Sequence, residues 1–154
     1  MDQLRQIIAT LDGWQEDLLE QAKAIQASHM GWVDEQRRKT GNSGQWPAYS
    51  LQVRQSKGSV VVVWTESGWY TQSTSGKKKL RQTYLRPTAK GYTKASFKKA
   101  KAGELGLVLE AEEKLAKIRE ELRLIGKIRG TIRMNTAKRP GLGGGGSDEN
   151  FWMK

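Results

Sequence analysis

At 154 residues, with 36% apolar and 28% charged side chains, the chain has room for one domain with a core or a small domain with helical arms; two full domains would be a squeeze, and a compact spherical enzyme is a poorer fit than elongated or partly exposed elements. The absence of cysteine excludes disulfides and thiolate metal sites, and the lack of a secretory leader or of any apolar run of about 18 residues predicts a soluble cytoplasmic protein without membrane insertion. The net charge of +11 is concentrated: residues 67–103 carry 10 Lys or Arg and no Asp or Glu, residues 1–66 carry 7 bases against 8 acids, and residues 104–154 carry 10 against 8, which describes a patch rather than a general bias.

In chain order, Leu4, Leu11, Leu18, Ile25 and Trp32 recur every seventh residue, with Ile7, Ile8, Trp14 and Ala22 thickening the stripe. This predicts one long helix from residue 2 to about residue 38 that packs along a helical partner. Gly13 and Gly31 weaken it locally, and Gly31 leaves room for a break. After Arg37, Arg38 and Lys39, "TGNSGQWP" ends the helix. "AYSLQVRQ" then alternates with strand period, "SKG" turns, and "SVVVVWTE" is a β-branched run, together a hairpin. "SGWYTQSTSG" reads as a short strand or a long loop, and "KKLRQTYLR" as a third strand ending at Pro87. A sheet this small needs a cover. "YTKASFKKA" supplies a short helix, with Thr93 as N-cap and Tyr92 and Phe97 as inward anchors.

From Glu104 to about Met134, Val108, Ala111, Leu115, Ile118, Leu122, Ile125 and Ile132 alternate three and four apart, a second heptad-like helix with acids early and bases late. The fold class expected is α+β: a three-stranded antiparallel meander with a short covering helix, flanked by two long helices forming a stem. The segments are 1–40 and 104–135 for the stem, 46–103 for the basic meander with its short helix, and 136–154 for a Gly-rich tail. The stem pairs helices within one chain or between two. Leu4, Leu11, Leu18, Ile25, Leu115, Ile118, Leu122 and Ile125 are its candidate partner or dimer interface. The tail reads as a disordered end, or else as a docking peptide through Asp148, Glu149, Phe151 and Trp152, and its "GGGGS" also resembles an engineered linker.

Chemistry narrows the function. With His29 as the sole histidine and no cysteine, the usual nucleophile and base constellations are hard to assemble, so no enzyme, cofactor or metal site is expected. His29 reads as a packing or surface residue. The acids of the long helices read as solvated faces and ion pairs. "SGKKK" fails as a phosphate loop, since no glycine stands five residues before Gly76 and no Ser or Thr follows Lys77.

Polyanion binding is what the middle segment offers. Lys77, Lys78, Lys79 and Arg81 lead into the third strand, Arg86 and Lys90 follow it, and Lys94, Lys98, Lys99 and Lys101 ride the short helix, with Lys94, Lys98 and Lys101 on one face. These bases are the candidate phosphate contacts to double-stranded DNA. Gln52, Arg54, Gln82 and Thr83 are candidate base readers if a strand pair enters the major groove. Trp69, Tyr70, Tyr84 and Tyr92 stack on bases or serve as core. A coiled-coil adaptor whose lysines meet acidic partners, and a small RNA-binding protein, are the competing readings.

The segment "YTKASFKKAKAGELGLVLEAEEKLAKIREEL" at 92–122, within a similarity from Trp46 to Ile132, resembles the MobI-type auxiliary mobilisation proteins of conjugative plasmids and integrative conjugative elements. The pattern is carried by Tyr92, Phe97, Glu104, Leu105, Glu113, Leu115, Ala116, Ile118 and Arg119, and departs at Gly103, where an aromatic residue is common. The resemblance implies a bacterial, non-enzymatic factor that recognises the origin of transfer and helps recruit or position the relaxase. A homodimer would match inverted repeats in such an origin.

Overall fold

Two long amphipathic stripes require a partner, and each finds it in the other. In a computed structural model, which describes residues 2–41 and 46–138, helix α1 (Asp2–Thr40) is followed by strands β1 (Tyr49–Ser56), β2 (Ser59–Thr71) and β3 (Lys78–Tyr84), a 3-10 turn (Lys94–Phe97) and helix α2 (Glu104–Lys138). The fold is α+β, with two long helices and an antiparallel sheet ordered β1-β2-β3. α1 continues through Gly13 and Gly31 without the break for which Gly31 left room. A helical glycine costs about 1 kcal/mol against alanine, whereas one fully buried leucine contributes about 1.5–3 kcal/mol.

The helices are antiparallel. Near one end Arg129 Nη2 donates to Asp12 Oδ1 at 2.6 Å and Trp14 Nε1 to Glu121 Oε1 at 3.2 Å; towards the other, Ile25 and Trp32 share a cleft with Leu107 and Ala111. Leu11, Leu18, Leu115, Ile118 and Ile125 are buried in one core with Tyr49, Leu51, Trp64, Tyr92 and Phe97, and Ile25 and Leu122 pack against it. Leu4 is half-buried. The stripe read as a partner or dimer interface thus joins the helices of one chain to each other and to the sheet. Its buried members have no surface left for a second molecule.

β1 and β2 meet in a two-residue turn at Lys57 and Gly58, with φ of 52° and 80°, the left-handed pair that matches hairpin twist. The free edge of β1 is covered by α1. Gln26 Nε2 donates to the Leu51 carbonyl at 3.1 Å and Gln15 Nε2 to the Gly58 carbonyl at 2.6 Å, which removes acceptors that an open edge would offer to another sheet. His29 joins them: its Nε2 stands 3.2 Å from the Tyr49 carbonyl oxygen, and its ring meets Trp64 edge-on at 5.0 Å. A carbonyl only accepts, so the neutral ring donates through Nε2. His29 is a packing residue.

Burial holds the His29 pKa below its ordinary value, against the smaller raising influences of the Tyr49 carbonyl and the Glu104 carboxylate. The unfolded chain takes up a proton near pH 6.5 and the folded chain only at lower pH. His29 therefore leaves stability unchanged above about pH 6.5 and lowers it as pH falls from there towards the folded pKa. Thermal melts between about pH 7.5 and 5.5 should show this decline. His29→Phe should flatten it, and an equal slope in both proteins would remove His29 as its cause.

Two acids of α2 are not solvated, contrary to the reading of the helical acids as surface groups. Glu104 is 0% exposed and accepts hydrogen bonds from the backbone N–H groups of Ala48 (3.0 Å), Tyr49 (2.9 Å) and Lys101 (2.8 Å). Glu112 is 5% exposed; it accepts from Trp64 Nε1 at 2.9 Å and, on both oxygens, from Arg119 Nη1 at 2.8 Å. Arg119 Nε in turn donates to the Val62 carbonyl at 3.1 Å, and its guanidinium lies over the Tyr92 ring at 4.9 Å. Of the residues that carry the family resemblance, Tyr92, Phe97, Glu104, Leu115, Ile118 and Arg119 form or fasten this helix-to-sheet contact, while Glu113 and Ala116 are exposed.

Candidate nucleic-acid interface

The ambiguous segment "SGWYTQSTSG" continues β2 to Thr71. Gly68 turns nothing, because it pairs with Arg81 inside the ladder. β1 stops pairing at Tyr49↔Glu66, apart from one further bond from Ser67 N–H to the Ala48 carbonyl at 2.7 Å, and β2 and β3 run on through Ser67↔Gln82, Gly68↔Arg81, Trp69↔Leu80, Tyr70↔Lys79 and Thr71↔Lys78. Five residues at ~3.3 Å each make a ribbon of roughly 16 Å. That exceeds the depth of about 8.5 Å of a major groove whose width of about 12 Å admits a two-stranded ribbon.

Pleating sorts the side chains of this ribbon. Tyr70, Lys79 and Arg81 share the face that, nearer the body, carries Trp64 and Glu66; Trp69, Lys78, Leu80 and Gln82 share the other. Lys77 stands in the connecting loop, where its carbonyl accepts from Gln72 N–H at 2.8 Å. Lys77, Lys78, Lys79 and Arg81 are all exposed, and Trp69 and Tyr70 are 43% and 44% exposed. Trp69 packs on the Trp46 ring, 5.2 Å between centroids, which leaves the half-exposed Tyr70 as the ring set among bases, and with no acid on the ribbon this surface suits phosphates and base edges. Lysines on an edge strand also deter pairing between sheets, a role compatible with this one.

The four candidate base readers do not share one surface. Gln52, Arg54 and Gln82 lie on the outer face of the sheet, whereas Thr83, opposite Glu66, lies on the inner one. Gln82 Oε1 already accepts from the Thr65 hydroxyl at 2.9 Å. Arg54 lies at the far end of β1, its guanidinium 5.8 Å from the Tyr84 ring centroid. Strand register decides these placements, and alternation within one strand cannot reveal it.

The expected helix over 92–100 is a 3-10 turn of four residues, Lys94–Phe97, so Lys98 and Lys101 lie beyond it and share no helical face with Lys94. Thr93 occupies the N-cap position, where its own N–H donates to Ser96 Oγ at 3.0 Å. Phe97 is buried and meets the rings of Tyr49 and Trp64 at 5.0 and 5.4 Å. Lys99 reaches the root of the ribbon and pairs with Glu66 at 3.7 Å, which offsets its charge. Lys94, Lys98 and Lys101 remain exposed.

Arg86 and Lys90 belong to the segment that leaves β3. Leu85 N–H makes a last sheet bond to the Trp64 carbonyl at 2.9 Å, and a tight turn links Thr88 and Gly91. Where β3 departs, a cleft of about 490 Å3 opens against α2, lined in part by Arg54, Arg86, Arg119 and Arg123. Arg119 and Arg123 escaped the sequence reading because they sit in a helix with near-balanced charge. Their only visible signal was Arg119 in the family pattern. Burial raises the Tyr92 phenol above its ordinary value, so the hydroxyl stays protonated and donates to the Leu85 carbonyl at 2.8 Å.

Among the described residues no group of His, Cys, Asp and Glu could hold a metal ion, and no helix is long and apolar enough to cross a membrane. The tail segment from residue 139 to 154, with its acidic and aromatic tip, lies outside the described residues. Comparison with curated proteins and with solved structures returned no match. Comparison with family models matched residues 18–133 to the model described as MobI protein. That span takes in the sheet, the ribbon and most of both helices, so the chain belongs to the MobI family and is a mobilisation-associated protein.

Proposed function

We propose that the protein is a non-enzymatic DNA-binding accessory factor that recognises the origin of transfer of a conjugative element and helps recruit or position the relaxase. The observation that carries this reading is the two-stranded ribbon, free of acids, with Lys77, Lys78, Lys79 and Arg81 exposed beside Trp69 and Tyr70. Its lysines and arginine neutralise backbone phosphates, and the ribbon is narrow enough to enter the major groove. Family membership supplies the process, mobilisation. A homodimer on inverted repeats fits this role. Since the heptad residues are committed to the core of one chain, that contact would use apolar side chains left at the helix surface, such as Ile7, Leu124 and Met134.

A mobility-shift series tests the reading with four targets: duplex tiled across the transfer origin, random duplex, single strand and RNA, each at two salt concentrations. The expected result is tightest binding to one origin duplex, weakening steeply with salt. Equal and negligible binding to all four would refute the proposal. A preference for RNA would transfer the ribbon to the RNA-binding reading.

A further inference from the structure

The cleft beside β3 differs in chemistry from the ribbon. The ribbon carries three lysines and one arginine, whereas the bases lining the cleft, Arg54, Arg86, Arg119 and Arg123, are all arginines, and no acid lines it among the described residues. Lysine is a mobile point charge; the planar arginine fork grips phosphate oxygens two at a time and stacks on rings. Glu112 neutralises one of the four, Arg119, from outside the cleft. The Arg119 Nη2 group is buried without a hydrogen-bond partner among the described residues. That atom is sealed from solvent, and the other Arg119 donors go to Glu112 and the Val62 carbonyl, so the forks that an anionic oxygen can reach from the cleft are the exposed ones of Arg54, Arg86 and Arg123.

The remaining wall is apolar and aromatic. Val63, Leu85 and Pro87 line it, together with the Tyr84 ring, which is 54% exposed and holds Arg54 over it. A volume of about 490 Å3 falls within the roughly 300–1,000 Å3 of small-ligand sites, a fit for one nucleotide rather than for the side of a duplex. Bases within a duplex are stacked on their neighbours and cannot lie on Tyr84, whereas an unpaired base can.

We propose that this cleft binds one unpaired nucleotide of a nucleic-acid strand, its phosphate held by Arg86 and Arg123 and its base laid on Tyr84. The proposal rests on the nucleic-acid reading of the protein and adds a second, single-strand site to the duplex-binding ribbon.

The test measures binding of a labelled short oligothymidylate and of a labelled duplex to the full chain and to two variants, Arg123→Gln and Tyr84→Ala. Both side chains are exposed and Arg123 makes no ion pair among the described residues, so melting temperatures near that of the parent are expected. Tyr84→Phe, which keeps the ring, guards against a folding effect. Arg123→Gln and Tyr84→Ala should each weaken oligothymidylate binding about tenfold more than duplex binding, and Tyr84→Phe should restore it. Inorganic phosphate, at matched phosphate concentration, should compete poorly. Duplex binding without oligothymidylate binding would overturn the cleft and leave the ribbon standing. Oligothymidylate binding indifferent to both variants, or equalled in competition by inorganic phosphate, would also overturn it. Failure to bind either nucleic acid would remove the nucleic-acid reading itself, and the cleft with it.

Discussion

Glu104→Ala is expected to lower the free energy of unfolding by roughly 3–5 kcal/mol, a large share of the roughly 5–15 kcal/mol by which a domain is stable. The carboxylate is fully buried and collects three backbone N–H groups from two separate segments, Ala48 and Tyr49 at the start of β1 and Lys101 just before α2. Alanine would leave those donors buried without an acceptor and open a void beside Tyr49. Glu104→Gln would keep the volume but turn an amide N–H2 towards N–H donors, so it should rescue only part of the loss. Chemical denaturation of the three proteins checks this. An alanine variant with the parental midpoint would show that the carboxylate does not fasten the sheet to α2.

Neutralising Lys77, Lys78, Lys79 and Arg81 together to glutamine is expected to weaken duplex binding about a hundredfold at physiological salt and to flatten its salt dependence. Each phosphate contact contributes about 0.9 to the slope of log affinity against log salt, so four lost contacts reduce it by about 3 to 4. All four side chains are exposed, so the melting temperature should stay near the parental one. A matched control neutralises Lys114, Lys117 and Lys127, exposed bases of α2, and should move affinity little. If the ribbon variant keeps both affinity and slope while the control loses them, the interface lies on the helix and the ribbon reading fails.

Repetition every seven residues from Leu4 to Trp32 announced α1, alternation in "AYSLQVRQ" announced β1, and the run of 10 bases without an acid located the charged surface. Each signal is local, a consequence of helical or strand period, and needs no knowledge of what lies opposite. The same locality explains the misreading over 92–100. Lysines four and three apart imply a helical face only if the helix persists, and here the chain makes a single 3-10 turn that seats Phe97 between Tyr49 and Trp64.

Whether "SGWYT" would be strand or loop depended on its pairing with 78–82, and register then put Thr83 on the opposite face from Gln82. Whether the heptad stripes would join two chains or one depended on the antiparallel return of α2 along α1. Glu104 and Glu112 look in sequence like the solvated acids around them; they can be buried because the N–H groups of Ala48, Tyr49 and Trp64 arrive from distant segments to donate hydrogen bonds to them, with Arg119 two turns along the same helix completing the Glu112 set. The cleft has the same origin, since Arg54, Arg86, Arg119 and Arg123 belong to a strand, a loop and a helix and meet only where β3 leaves the sheet. Helix and strand content and the presence of a basic surface were legible in the chain itself because period and composition are local. Which faces meet, which charges are buried and where arginines converge were decided by tertiary contacts, because each depends on groups far apart in sequence.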